Sequence, residues 1–177
     1  MAKKFENSPA DGIVAAISIS ARKGTRKTNV ASARLIPDWG LEGDAHAGPG
    51  PRQVSLLAVE SIDKMRARGL DVGPGAFAEN ITTEHINVPG LRLGDRVRIG
   101  EAELEITQIG KECHSRCAIY AAAGDCVMPR EGIFGRVVTG GTVRVGDQVR
   151  VIQAGHVASP NEHEADRGGS AGGGDRP

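Results

Sequence analysis

Short apolar runs cut by glycine limit most strongly what this chain can fold into. The sequence has 25 glycines in 177 residues, about twice the usual ~7%. Five of them follow Arg167, and the other 20 are spread through the body of the chain. Glycine supplies the backbone conformations that tight turns need, so this distribution predicts a turn-dense, strand-rich fold.

Local apolar patterns predict eight strands and one helix. Val59, Ile62 and Met65 recur at helical spacing and Gly69 follows them, which predicts an amphipathic helix over 58–68. The strands are predicted at 13–20, 29–36, 54–57, 77–83, 96–99, 103–109, 135–138 and 148–152.

One short pattern occurs twice. Residues 91–99 read LRLGDRVRI and residues 143–151 read VRVGDQVRV. Gly-Asp supplies a tight turn, and the flanking residues alternate apolar with arginine. This indicates two similar strand turns of a β-barrel, without functional meaning. The arginines of the repeat, Arg92, Arg98, Arg144 and Arg150, are expected on its solvated face.

Composition excludes several classes of protein. Lys+Arg and Asp+Glu are both 22, and aromatic residues are 3%, which disfavours nucleic-acid binding. The sequence has no apolar stretch of membrane-spanning length and no signal peptide is visible. We therefore expect a cytoplasmic protein without nucleic-acid or membrane partners. One domain is predicted at 12–153, between a flexible arm at 1–11 and a disordered, Gly-rich tail at 154–177.

Three cysteines, Cys113, Cys117 and Cys126, lie within 14 consecutive residues just after a predicted strand. Positive neighbours such as Lys111 lower the pKa of a thiol and favour the nucleophilic thiolate. This spacing indicates a reactive Cys113, with Cys117 or Cys126 as a resolving partner. Two alternatives remain: three small buried side chains, or a zinc or iron–sulfur site that uses the three thiols and His114.

Three other segments carry candidate binding residues. Residues 22–27 (RKGTRK) place four cations and a hydroxyl around one glycine, a set suited to phosphate or to a solvated turn. Asp44 and His46 lie in GLEGDAHAG. They are suited to binding a ligand or a metal, or to hydrogen bonding within their own turn. Glu79 and Asn80, in FAENI, form a polar pair, and an Asn amide can bond a heterocycle edge.

In order along the chain, these pieces resemble a MOSC domain, in particular the small stand-alone bacterial members. The resemblance covers about residues 12–152. It rests on KGTRK (23–27), GLEGDAHAG (40–48), RQVSLLAVESI (52–62), FAENI (77–81), LRLGDRVRIG (91–100), LEITQIGKECHSRC (104–117), GDCVMPREGIF (124–134) and GGTVRVGDQV (140–149).

The resemblance implies a largely antiparallel β-barrel that binds molybdopterin and carries sulfur as a persulfide on one cysteine. The cysteine of this sequence that matches the family's sulfur-carrying cysteine is Cys113. The family's proline before this cysteine is Glu112 here, and Gly110-Lys111 replaces its arginine. The pyridoxal-phosphate desulfurase domain of the large sulfurases is absent from this sequence, so no pyridoxal phosphate is expected and a separate donor must supply the sulfur.

In the resulting hypothesis, a cysteine desulfurase loads Cys113, and the sulfur passes to molybdenum or tungsten in the cofactor. Phosphate contacts are assigned to Lys23, Arg26, Lys27 and Arg52, with Lys111 as a further anion contact. Glu79 and Asn80 are assigned to the pterin, and Asp44 and His46 to cofactor binding. The acceptor is a molybdoenzyme or a cofactor-biosynthesis protein, and a homodimer is the default.

Two alternatives keep the fold and change the task. In one, the chain is a redox enzyme that reduces N-hydroxylated compounds, with Cys113 as a thiolate ligand to molybdenum. In the other, it is a non-catalytic cofactor-binding or adaptor module, stabilised by zinc at Cys113, Cys117 and Cys126. Metal content separates these alternatives from the sulfur carrier.

Overall fold

The computed structural model describes residues 11–23, 25–111 and 118–155. Within them the strands are β1 (Gly12–Ile19), β2 (Thr28–Val30), β3 (Ser32–Ile36), β4 (Gly40–Leu41), β5 (Val54–Ala58), β6 (Ile81–Glu84), β7 (Arg96–Ile99), β8 (Ala102–Ile109), β9 (Ile133–Thr139), β10 (Gly141–Arg144) and β11 (Gln148–Gln153). The helices are α1 (Val59–Arg66), α2 (Ala118–Ala123) and α3 (Met128–Glu131), and Val88–Gly90 forms one 3-10 turn.

Seven of the described strands close into a mixed β-barrel. The order is β11-β7-β8-β9-β5-β6-β1, and β1 pairs again with β11. Among these pairings β5–β6 is parallel and the others are antiparallel. The parallel pair is joined through α1, because parallel neighbours need a crossover rather than a hairpin. The predicted mostly-β barrel with a few short helices is confirmed.

Two apolar clusters stabilise the fold. The larger one fills the barrel and includes Leu35 and Val143 from the separate sheet β10-β3-β4, which packs against it. The alternation of β8 shows how the sequence produces this core, since Ala102, Leu104 and Ile106 are buried between more exposed residues. The second cluster lies between α1, α3 and the barrel wall, and includes Met65, Phe77 and Cys126.

The repeated Gly-Asp pattern forms two equivalent turns. Asp95 accepts a hydrogen bond from the N–H of Arg92, and Asp147 accepts one from the N–H of Arg144, each at 2.8 Å. The strands that follow the turns, β7 and β11, are neighbours in the barrel. The second turn joins β10 to β11, which belong to different sheets. The four arginines of the repeat are exposed, as expected.

Two predicted strands differ most from the observed ones. The strand predicted at 29–36 is divided at Ala31 into β2 and β3, which pair in different sheets. The strand predicted at 77–83 begins at Ile81, because Ala78 has a φ of 62° and the preceding residues form a turn.

The predicted arm and tail lie almost wholly outside the described residues. None of the helices within the described ranges has the length and apolar composition of a membrane span.

Candidate functional site

Three loops that are distant in sequence meet beside the end of β1. The N–H of Lys27 donates to the carbonyl of Gly75 at 3.2 Å, and the N–H of Ala45 donates to the carbonyl of Ser20 at 2.8 Å. These bonds hold the loop before β2 against the two loops that precede β5 and β6. We call the result the three-loop site, defined by Lys27, Asp44, His46, Glu79 and Asn80.

A buried ion pair lies at the centre of the three-loop site. The Lys27 ammonium donates to Asp44 Oδ1, and the two side chains are 0% and 1% exposed. Burial raises the pKa of Asp44, but hydrogen bonds from Lys27 and from the N–H of Ser20 outweigh it, and the net pKa lies below its ordinary value. Burial lowers the pKa of Lys27, and Asp44 opposes that shift. Asp44 is therefore a carboxylate that fixes two loops and one buried cation.

His46 lies between this pair and solvent. Its backbone N–H donates to Asp44 Oδ2 at 3.1 Å, and its ring Nδ1 is 3.3 Å from Lys27 Nζ. The pKa of His46 is lowered, first by burial and then by the positive charge of Lys27, with smaller contributions from Lys111 and Lys23. The imidazole of His46 is therefore neutral at pH 7, and the positive charges of Lys27, Lys111 and Lys23 act on it.

Glu79 is fully buried and bonded to its own loop. Its carboxylate accepts the N–H of Gly75 at 2.6 Å, the N–H of Phe77 at 3.1 Å and the hydroxyl of Thr82 at 3.1 Å. Burial raises the pKa of Glu79, against the effect of these hydrogen bonds. The hypothesis assigns Glu79 to the pterin, and in the structure its carboxylate shapes its own loop.

Asn80 is likewise engaged within the protein. Its Oδ1 accepts both the N–H and the hydroxyl of Ser55, and its Nδ2 donates to the carbonyl of Ser18 at 3.3 Å. The residue is 2% exposed. These contacts tie β5 to the end of β1.

The predicted phosphate-binding cations divide into two groups. Lys27 is buried in its ion pair, whereas Lys23, Arg26 and Arg52 are exposed. Lys23 is close enough to His46 to lower its pKa, whereas Arg26 reaches the carbonyl of Asp71 at 3.4 Å. Arg52 lies in the loop before β5, and no described contact brings it to the three-loop site.

Strand register places Ile109, and with it the chain leading to Lys111, at the same end of the barrel. The row Ile109–Ile133–Leu56–Ile81–Ile17 runs across five neighbouring strands. The end of β8 therefore lies level with the end of β1. Lys111 lies two residues after the end of β8, and its charge lowers the pKa of both Lys27 and His46.

The three cysteines are only partly described. Cys113 and Cys117, and with them His114, lie outside the described residues. Cys126 is 6% exposed in the second apolar cluster, and its N–H donates to Asp125. Among the described residues, no cluster of three or more His, Cys, Asp or Glu side chains is arranged to hold a metal ion. The zinc alternative depends on residues outside this part of the chain.

Sequence reasoning missed several residues that build the three-loop site. Ser20 and Ser55 act through backbone or hydroxyl bonds that leave no sequence pattern. Gly75 did leave one, since a glycine-rich turn (GPG, 73–75) lies one residue before FAEN. Gly75 has a φ of 86°, and an added Cβ would lie 2.8 Å from the Lys27 carbonyl oxygen, so glycine is required at this position.

Fold and site together define a small closed β-barrel with a buried Lys27–Asp44 ion pair and further lysine charge acting on the adjacent His46. The model of the MOSC domain matches residues 42–150, more than half of the chain. The chain therefore belongs to the MOSC domain family, which is associated with molybdenum cofactor binding.

Solved structures share this fold at low sequence identity. The YuaD protein from Bacillus subtilis matches with a TM-score of 0.67 and 16% identity, over 78% of this chain and 94% of YuaD. YiiM from Geobacillus stearothermophilus matches with a TM-score of 0.60 and 18% identity, over 80% and 75% of the two chains. YiiM from Escherichia coli matches with a TM-score of 0.56 and 20% identity, over 80% and 70%. No curated protein matches the chain.

Proposed function

We propose that this chain is a sulfur carrier for the molybdenum cofactor. Cys113 carries the sulfur as a persulfide, and the cofactor is the substrate that receives it. The observation that carries the proposal is the position of Lys111. The charge of this residue acts on Lys27 and His46 of the three-loop site, and Cys113 is two residues further along the sequence.

The charges at the three-loop site fit an anionic cofactor. Lys23 is exposed and Lys111 is half-buried, and both act electrostatically on His46. The Lys27–Asp44 pair is neutral overall and buried, so it holds the loops together rather than neutralising a ligand. We assign the pterin phosphate to Lys23 and Lys111, and we assign Lys27, Asp44, Glu79 and Asn80 to holding the loops in place.

The same cations suit the chemistry of a reactive thiol. Positive charge near Cys113 favours its thiolate, which attacks the outer sulfur of a donor persulfide. The sulfur–sulfur bond of the donor breaks, Cys113–S–S⁻ forms, and the donor leaves as a thiolate. A cysteine desulfurase is the chemical class that supplies such a persulfide.

Delivery to the cofactor needs two electrons, and two thiols of this chain provide them. The outer sulfur leaves as sulfide, while the inner sulfur of Cys113 bonds to the thiol sulfur of Cys117 or Cys126. The displaced oxygen of the substrate leaves as water, with one proton from the protonated persulfide and one from the second thiol. Atoms and electrons then balance, and a reductant must reopen the disulfide before the next cycle.

Mass spectrometry after anaerobic loading with a cysteine desulfurase and cysteine tests the proposal. We expect an adduct of about 32 Da, one sulfur atom, on Cys113. It should be absent in Cys113→Ser and present in the matched variants Cys117→Ser and Cys126→Ser. One of those two should load normally yet fail to sulfurate a molybdoenzyme. Full sulfuration by Cys113→Ser would contradict the proposal.

Metal content of the protein from a cofactor-competent host separates the alternatives. The sulfur carrier should hold substoichiometric molybdenum together with cyanide-labile sulfur. Tightly held molybdenum at one equivalent would favour the redox enzyme. One equivalent of zinc, with unfolding on chelation, would favour the adaptor module.

A further inference from the structure

The contacts of the His46 ring determine which of its nitrogens carries a proton. Nδ1 lies 3.3 Å from Lys27 Nζ and 3.6 Å from Asp44 Oδ2. An ammonium group donates hydrogen bonds and cannot accept them, so Nδ1 must be the acceptor in the shorter contact. Asp44 already accepts from Lys27, Ser20 and the backbone of His46. The neutral ring therefore carries its proton on Nε2.

The opposite edge of the ring remains for a ligand. The side chain is 32% exposed, whereas the side chains of Lys27 and Asp44 are 0% and 1% exposed. Nε2 lies across the ring from Nδ1, on the edge away from Lys27. Lys23 and Lys111 act on the same ring and give its surroundings a positive potential.

We infer that His46 is a fixed hydrogen-bond donor, which presents Nε2–H to a phosphate oxygen of the bound ligand. Lys27 is its positioning residue, because its ammonium occupies Nδ1. Asp44 in turn holds Lys27 in place. The inference rests on the proposed function for the source of the phosphate, and it names the atom that recognises it.

The charges around the ring keep it in this form at neutral pH. Burial lowers the pKa of His46, and Lys27, Lys111 and Lys23 lower it further, while Asp44 opposes them. A cationic ring would also place an N–H against the Lys27 ammonium, which has no acceptor. The donor role of Nε2 is thus kept without the ring becoming charged.

Nitrogen-15 NMR of the full chain tests the tautomer directly. We expect His46 to show a protonated Nε2 and an unprotonated Nδ1 at pH 7. In Lys27→Met the pKa of His46 should rise and the tautomer preference should weaken, because a positive charge and a donor are both lost. A wild-type His46 with its proton on Nδ1 would overturn the inference, whether or not the variant folds.

Titration with inorganic phosphate tests the ligand. Phosphate should shift the His46 Nε2–H signal and leave the ring of His85 unchanged, since His85 is exposed next to Glu84, in another part of the fold. His46→Ala should weaken phosphate binding about tenfold. His46→Gln, whose amide N–H replaces Nε2–H, should restore most of it, whereas His46→Asn should not. Equal binding by all three variants would overturn the inference.

The two proposals fail separately. A correct tautomer and His46-dependent phosphate binding, without a persulfide on Cys113, would remove the sulfur carrier and leave the anion site. Sulfur transfer through Cys113, with a His46 Nε2–H signal that phosphate does not shift, would remove the anion site and leave the sulfur carrier.

Discussion

Burying Lys27 and Asp44 together removes both charges from water, and their mutual attraction offsets that cost. The Lys27 ammonium donates a hydrogen bond to the Asp44 carboxylate, which also accepts the backbone N–H groups of Ser20 and His46. Replacing one partner leaves the other charge buried without compensation. The three-loop site therefore depends on both members at once, even though neither side chain reaches solvent.

Asp44→Asn should lower the free energy of unfolding by about 3 kcal/mol, because Lys27 loses its counter-charge. The matched control is Asp38→Asn, where the side chain is 73% exposed and pairs with Arg136. That change should cost about 0.5 kcal/mol, since exposed ion pairs contribute little. Urea unfolding of both variants at pH 7 measures the difference. Equal losses would contradict a buried pair.

The same residue predicts a pH dependence. Because the folded pKa of Asp44 lies below its ordinary value of 3.8, its contribution is complete above that pH. It is lost as the pH falls from about 4 through the folded pKa. Wild-type stability should fall more steeply than that of Asp44→Asn below pH 4. Parallel curves in urea unfolding from pH 5 to pH 2.5 would refute this assignment.

At the scale of elements, glycine turns position the loops that carry the site. Residues 77–80 depart from the predicted strand because Ala78 has a φ of 62°, and the hydrogen bonds to Glu79 offset the cost of that conformation. Gly110 performs a similar task after β8. Its N–H donates to the carbonyl of Gly132 at 2.7 Å, which directs the chain toward Lys111.

Gly110→Ala should cost about 2–4 kcal/mol, from a positive φ together with a clash against the Pro129 carbonyl. Gly124→Ala provides a matched control, because Gly124 has nearly the same φ, 69° against 71°, and nothing lies within 4 Å of its added Cβ. The control should lose about 1 kcal/mol, the cost of the φ alone. Thermal unfolding measures both. Similar losses would show that the contact with Pro129 is unimportant.

At the scale of the whole molecule, the first and last strands close the barrel. Gly12 and Ile13 of β1 pair with Val149 and Gln148 of β11. Asp11 extends this seam, since its carboxylate accepts two hydrogen bonds from Arg150. Closure of the barrel therefore depends on contacts between β1 and β11, which lie far apart in the sequence. These contacts hold β1 in place next to the three-loop site.

Val149→Ala should lower the free energy of unfolding by about 2 kcal/mol, because it removes buried methyl groups from the seam. Val149 is 0% exposed. The control is Val145→Ala in the adjacent turn, where the side chain is 48% exposed and the change should stay within about 0.5 kcal/mol. Urea unfolding compares the two variants. A loss at Val145 equal to that at Val149 would contradict this account of closure.

The sequence by itself determined the local structure and the chemical candidates. Period-two alternation identified β7 and β8 nearly to the residue, because side chains on a strand alternate between two faces whatever lies beyond them. The Gly-Asp turns followed from the special backbone freedom of glycine. The clustering of thiols beside Lys111 needed no coordinates, since it is a fact of spacing.

The tertiary structure decided which candidates touch and which side chains serve the fold. Lys27 was expected to bind phosphate, yet it pairs with Asp44, 17 residues away. Glu79 was expected at the pterin, yet it accepts the N–H groups of its own loop. Periodicity describes how a residue faces its sequence neighbours, whereas these contacts arise when closure of the barrel brings distant loops to one end.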